Sequence, residues 1–179
     1  NLYRVTASAH ATGLDGIDEH AINVGFRGFR FEDGHFELNG RRVMVHGVMA
    51  RSATPFSGRK PYDPEMLRKD MHQPTVMGIN MFRFLGGVAK RFQLDMADEL
   101  GMMVYEECLA SWRWEGASEQ GEERFRRATA GMVKRDRNHP CVVIWGMLNE
   151  AANTPVFRHA LNALGTLRSL DDSRVVLLN

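Results

Sequence analysis

Two rhythms divide the chain. Up to about residue 40, apolar residues recur in near-alternation: Leu2, Val5, Ala7 and Ala9 sit among Arg4, Thr6 and Ser8. Ile22, Val24, Phe26, Phe29 and Phe31 continue the strand character through HAINVGFRGFRFEDG. A period near two is that of a half-buried β-strand. In HFELNGRRVMV, Asn39 and Gly40 lie between two apolar-bearing segments. A two-residue hairpin turn needs positive φ at both central positions, which this pair tolerates. The first part of the chain is therefore expected to be antiparallel β.

After Arg42 short apolar runs alternate with longer amphipathic ones. RVMVHGVM reads as a strand. YDPEMLRKDM begins a helix with Asp63 as N-cap and Pro64 at its first position. INMFRFL reads as a strand, and RFQLDMADELG as a helix closed by Gly101. MMVYEE is a strand, followed by a helix in SEQGEERFRRATAGMVKRDRNHP with an acidic start and a basic end, as the helix dipole favours. CVVIWGML is a strand, TPVFRHALNALGTLRSL a helix capped by Thr154, and RVVLLN a last strand. Pro74 should end the first helix early or kink it. The order is βαβαβαβαβ. Strands apolar on both faces predict an α/β fold in which helices wrap a parallel sheet.

Composition narrows the picture. With 179 residues, 44% of them hydrophobic, the chain can bury one core of ordinary size. A net charge of +1 gives no argument for nucleic acid or an acidic membrane surface, and no apolar run approaches the ~20 residues of a membrane span. Cys108 follows the third parallel strand and Cys141 opens the fourth. That puts them at opposite ends of the sheet, roughly 15–20 Å apart, beyond the ~7 Å a disulfide spans, so two free thiols are expected. The histidines form no HxH or HExxH and there is no CxxC, so no metal is expected. The opening, NLYRVTASAH, reads as the interior of a longer protein, which leaves the compartment open.

Ligands of parallel sheets bind at the carboxyl ends of the strands. The polar residues at those ends are Arg51 and Ser52, then Arg83, then Glu106 and Glu107, then Asn149 and Glu150. Strand side chains alternate, so only one of Glu106 and Glu107 should face the cleft. Each residue also has a plain reading. Glu150 could be a solvated loop carboxylate, and Arg83 a salt-bridge partner of Glu106 or Glu107. Trp112 and Trp114 in SWRW are either packing aromatics or platforms that stack on a sugar face.

These residues resemble glycoside hydrolase family 2. FELNGRRVMVHGV resembles the family's NGKPVFLRGVN-like lead-in to the first barrel strand; MGINMFR resembles the second strand and DELGMMVYEE the third. RDRNHPCVVIWGMLNE is similar to the acid/base signature nearly letter for letter, and NVGFRGFRFEDG resembles the end of the immunoglobulin-like domain before the barrel. The resemblance implies that residues 1–33 end an immunoglobulin-like β-sandwich, and that residues 34–179 are the first part of a TIM barrel, about five of eight strands. It implies Glu150 as general acid/base, Asn149 as the partner of the sugar 2-hydroxyl, and Arg83 as support beneath the nucleophile. Glu107 and Trp112 would serve substrate binding.

Departures from the family pattern matter as much. Where galactosidases carry a magnesium-binding Glu and His, this chain has Ser111 and Arg113, which implies no metal; no cofactor is needed either. FLGG replaces the SHYP of the galactosidase and glucuronidase branch and leans toward the mannosidase side, so the sugar is open. The family's nucleophile ends the seventh strand and has no counterpart here. The expectation is a retaining exo-glycosidase in the longer protein, acting on terminal β-linked sugars and β-galactosidase-like, with this chain alone inactive. Open strand edges would favour self-association, including a homo-oligomer. The alternatives are a non-catalytic carbohydrate-binding or scaffold protein on the same fold, and a five-stranded flavodoxin-like binder. The last lacks a glycine-rich phosphate loop after its first strand.

Overall fold

A computed structural model describes residues 1–13, 16–50, 63–108, 119–151 and 153–179. Strands β1 (Tyr3–His10) and β2 (Ile17–Val24) pair antiparallel with each other, their side chains mostly exposed. Strands β3 (Phe29–Glu32), β4 (His35–Leu38) and β5 (Arg41–Val43) form an antiparallel meander. Both of its turns have two residues at positive φ: Asp33 and Gly34 at 48° and 78°, Asn39 and Gly40 at 53° and 74°. The second is the predicted hairpin. The first is an equally plain Asp-Gly turn, at the junction of the stretches HAINVGFRGFRFEDG and HFELNGRRVMV.

The rest alternates. Strand β6 (Gly47–Ala50) leads to helix α1 (Pro64–Val76), β7 (Met81–Phe84) to α2 (Arg91–Leu100), and β8 (Met103–Glu107) to α3 (Glu119–Asp136). Strand β9 (Val142–Gly146) leads to α4 (Pro155–Leu170), then β10 (Val175–Leu177). The five strands form one parallel sheet in the order β10-β9-β8-β7-β6, which is chain order, as in part of a TIM barrel.

Two cores hold this sheet. The helix-facing core gathers Phe82, Phe84, Val104, Val142 and Trp145 from the strands with Leu67, Leu94, Phe125, Ala160 and Leu167 from the helices. The other face carries Met81, Met103, Tyr105 and Ile144, and onto it pack Phe29, Phe36, Leu38 and Val43 of the meander. The antiparallel segment thus covers the inward side chains nearest the amino ends of the strands and leaves the carboxyl ends clear.

Local signals mostly hold. Asp63 accepts the Glu65 N–H at 2.9 Å, and Gly101 closes α2 at φ 70°. Helix α1 ends at Val76, two residues after Pro74, in keeping with the missing amide there. Thr154 is the N-cap of α4, but its hydroxyl donates backwards to the Ala151 carbonyl, at 2.8 Å, and makes no bond into the helix. RVMVHGVM is two strands. The chain leaves the meander at Val43 and enters the parallel sheet at Gly47. The Asn80 amide bridges the crossing, accepting from the His46 N–H at 2.9 Å and donating to the Met44 carbonyl at 2.8 Å. Neither cysteine is in a disulfide, and both are buried.

Candidate active site

Strand register puts Arg83 of β7 beside Tyr105 of β8, and Tyr105 beside Ile144 of β9. One step further along the same face come Glu107 and Gly146. Arg83 reaches from this layer toward the strand ends. Its Nε and Nη2 donate to Glu107 Oε2 at 3.1 and 3.0 Å, and Nη2 also donates to Asn149 Oδ1 at 2.8 Å. One guanidinium therefore ties three consecutive strands at their carboxyl ends. Glu107 is fully buried, whereas Arg83 keeps about a quarter of its side chain exposed. Burial pushes the Glu107 carboxyl up, and the Arg83 charge and hydrogen bonds pull against it.

Asn149 is buried and Glu150 is exposed. Glu150 has φ 51°, in the left-handed region that an L-residue enters at a cost. The backbone turn carries the carboxylate away from the apolar strand and out to solvent, immediately after the amide held by Arg83. An exposed carboxylate beside a fixed amide at the strand ends has the chemistry for proton transfer and for hydrogen-bonding a polar ligand.

Glu106 departs from the rim. It lies on the helix-facing side, fully buried, and its Oε1 accepts the Ala89 N–H at 2.9 Å. Arg135 donates to the Ala89 carbonyl at 2.6 Å and to Asp136 at 2.6 Å, and lies 3.4 Å from Glu106. Burial, with the Asp136 charge added, pushes the Glu106 carboxyl up to about 9. Of the two adjacent glutamates only Glu107 meets Arg83 on the inner face. Trp112, Trp114, Ser111, Arg113, Arg51 and Ser52 lie outside the described residues.

Two inner-face residues, Tyr105 and Gly146, complete this layer. Tyr105 lies with its ring 4.9 Å from the Arg83 guanidinium carbon, and Gly146 leaves the space that the ring fills. Neither carries a signal in a single sequence, because the contact depends on register between strands. Asp98 and, far from it in sequence, His139 and Cys141 also come together, with one potential ligand atom from each lying within 4.8 Å of the others. Asp98 is already engaged there, accepting from the Cys141 N–H at 2.7 Å and meeting His139 Nδ1 at 2.7 Å. Burial pushes the Cys141 thiol well above its ordinary range. The trio is a hydrogen-bonded staple at the amino end of β9, remote from Arg83.

The sequence profile of the TIM barrel domain of glycosyl hydrolases family 2 matches residues 29–179. A β-galactosidase from Thermoanaerobacterium thermosulfurigenes is 28% identical over 174 residues, which is 92% of this chain and 22% of that protein. A β-galactosidase from Thermoanaerobacter pseudethanolicus is 30% identical over 161 residues, 88% of this chain and 21% of that protein. The crystal structure of Parabacteroides merdae β-glucuronidase superposes with a TM-score of 0.87 at 28% identity, covering 99% of this chain and 24% of that one. The chain thus spans about a fifth of the length of the curated relatives it matches.

Proposed function

The chain belongs to glycosyl hydrolase family 2, and we propose that the protein carrying it is a retaining exo-glycosidase acting on terminal β-linked sugars. This chain would contribute the acid/base half of the site. Glu150 protonates the departing glycosidic oxygen and then, as the conjugate base, takes a proton from the attacking water. A partner carboxylate from outside this chain attacks the anomeric carbon; retaining enzymes hold the two carboxyl groups about 5–5.5 Å apart. Asn149 hydrogen-bonds the sugar 2-hydroxyl, a contact that strengthens as positive charge develops on the ring. Arg83 and Glu107 fix that amide from below, and Trp112 offers a face for the sugar. Residues 1–33 would be the end of an immunoglobulin-like sandwich.

The observation that carries this reading is the bond from Arg83 Nη2 to Asn149 Oδ1, with Glu107 on the same guanidinium. It fixes the amide next to an exposed carboxylate at the strand ends, where parallel α/β folds bind ligands. The test compares the protein carrying this sequence with its Glu150→Gln variant across β-glycosides of graded leaving-group ability. An unactivated disaccharide should lose ~10²–10⁴-fold in rate. Activated aryl glycosides should suffer less in their first step, with azide restoring turnover in place of the missing base. Unchanged disaccharide hydrolysis by Glu150→Gln would remove the assignment.

A further inference from the structure

We propose that Tyr105 is a positioning residue for this site: its ring is the floor that holds Arg83, and through Arg83 the substrate-facing amide of Asn149. The inference rests on the glycosidase reading for its kinetic consequence but not for its structural one.

Three observations converge. The Arg83 guanidinium carbon lies 4.9 Å from the centroid of the Tyr105 ring, within the range of a cation–π contact. The same guanidinium makes the bonds to Glu107 and Asn149, so its plane is set from two sides, by acceptors at its edge and by a ring against it. Finally, the ring has its place because residue 146 is glycine. A Cβ there would overlap Tyr105 Cε2 and lie 2.8 Å from Glu107 Cγ. Gly146 has no left-handed φ to accommodate, so it is needed for space alone.

The chemistry of the ring suits this role. Tyr105 is buried, and burial with the nearby Glu107 charge pushes its hydroxyl up to about 12, so the ring stays neutral and its face remains attractive to a cation. Its hydroxyl has no hydrogen-bond partner among the described residues. The aromatic face, rather than the hydroxyl, is therefore what Arg83 uses. An arginine held only by acceptors could swing with them. A rigid ring beneath it restricts the guanidinium to the plane in which it serves Glu107 and Asn149 together.

The test uses the protein carrying this sequence with Tyr105→Leu, Tyr105→Met and Tyr105→Phe. Methionine keeps volume without a ring, and is the comparison should leucine prevent folding. Two readouts are taken. The first is the Arg83 Nε–H resonance, which a held guanidinium keeps protected from solvent exchange. It should be lost in the Leu and Met variants and restored in Phe. The second is hydrolysis of matched substrates with and without a 2-hydroxyl. Losing a cation–π contact should lower kcat roughly 2- to 30-fold with little change in KM. The fall should be smaller on the 2-deoxy substrate, which never used Asn149, and phenylalanine should recover most of it. An Arg83 Nε–H signal unchanged in Leu and Met, equal losses on both substrates, or a Phe variant as impaired as Leu would each overturn the proposal. If the wild-type protein hydrolyses no glycoside, the glycosidase reading fails, and the Arg83 resonance still decides the role of Tyr105.

Discussion

Glu106 and Glu107 are neighbours on one strand, both fully buried, yet they face different chemistry. Among the described residues, Glu107 meets a guanidinium whose only other side-chain acceptor is an uncharged amide, Asn149. Glu106 meets a guanidinium already claimed by Asp136 at 2.6 Å, and its closest donor is the backbone N–H of Ala89. Burial raises both carboxyls. What separates them is whether the nearby cation is shared with another carboxylate. On the rim the result is a charge pair that ties strands together. On the helix side it is a carboxyl held near 9, a neutral acid at ordinary pH that fixes the loop after β7 through Ala89.

The largest effect should come from breaking the rim pair. Arg83→Met leaves Glu107 buried without its cation, which should cost on the order of 3–5 kcal/mol and be visible as a drop in Tm. A loss below about 1 kcal/mol would mean that Glu107 is already neutral, like its neighbour, and the contrast would disappear. Glu106→Gln comes next. In acid, where both the folded and unfolded states hold the proton, the amide imitates the protonated acid, so the change there should stay within about 1 kcal/mol. The pH dependence carries the sharper signal. A folded-state pKa near 9, above the ~4.3 of a free glutamate, means that the folded protein holds the extra proton. Its stability is then full below about pH 4 and falls as pH rises toward 9. Glu106→Gln should remove that decline, read as urea midpoints that converge in acid and diverge in base. Parallel curves would show that Glu106 is ionised. The smallest effect concerns the backbone. Glu150→Asn places a residue tolerant of the left-handed region at φ 51° and should raise stability by about 0.5–1 kcal/mol, measured by chemical denaturation. A loss of that size would mean that Glu150 is held there by contacts rather than imposed on the turn.

Much of this was legible from local signals. The Asn39-Gly40 turn, the Asp63 cap and the Gly101 stop act within a few residues, and the alternation of apolar runs set the parallel sheet. Arg83, Glu107 and Asn149 were reachable because strand ends in such sheets converge on one rim. What stayed hidden depends on partners distant in sequence. The split of RVMVHGVM is set by Asn80, more than thirty residues on, whose amide satisfies backbone groups on both sides of the crossing. That Glu107 rather than Glu106 lies on the inner face with Arg83 follows from the pleat phase of β8, which also carries an irregularity in its pairing between Val104 and Tyr105. Such an irregularity shifts register without leaving a compositional mark.

The fit of Tyr105 into the space above Gly146 also constrains the order in which such a pair can arise. With tyrosine in place, any side chain at 146 would overlap an aromatic ring that has no rotatable end to withdraw. With glycine in place first, position 105 can be small or large. A substitution path to this site therefore passes through the glycine before the tyrosine. The reverse path crosses an intermediate in which the ring, the neighbouring strand and the Arg83 plane compete for one volume. Substituting Gly146 alone should be the costlier step, and a smaller residue at 105 the change that makes room for a side chain at 146.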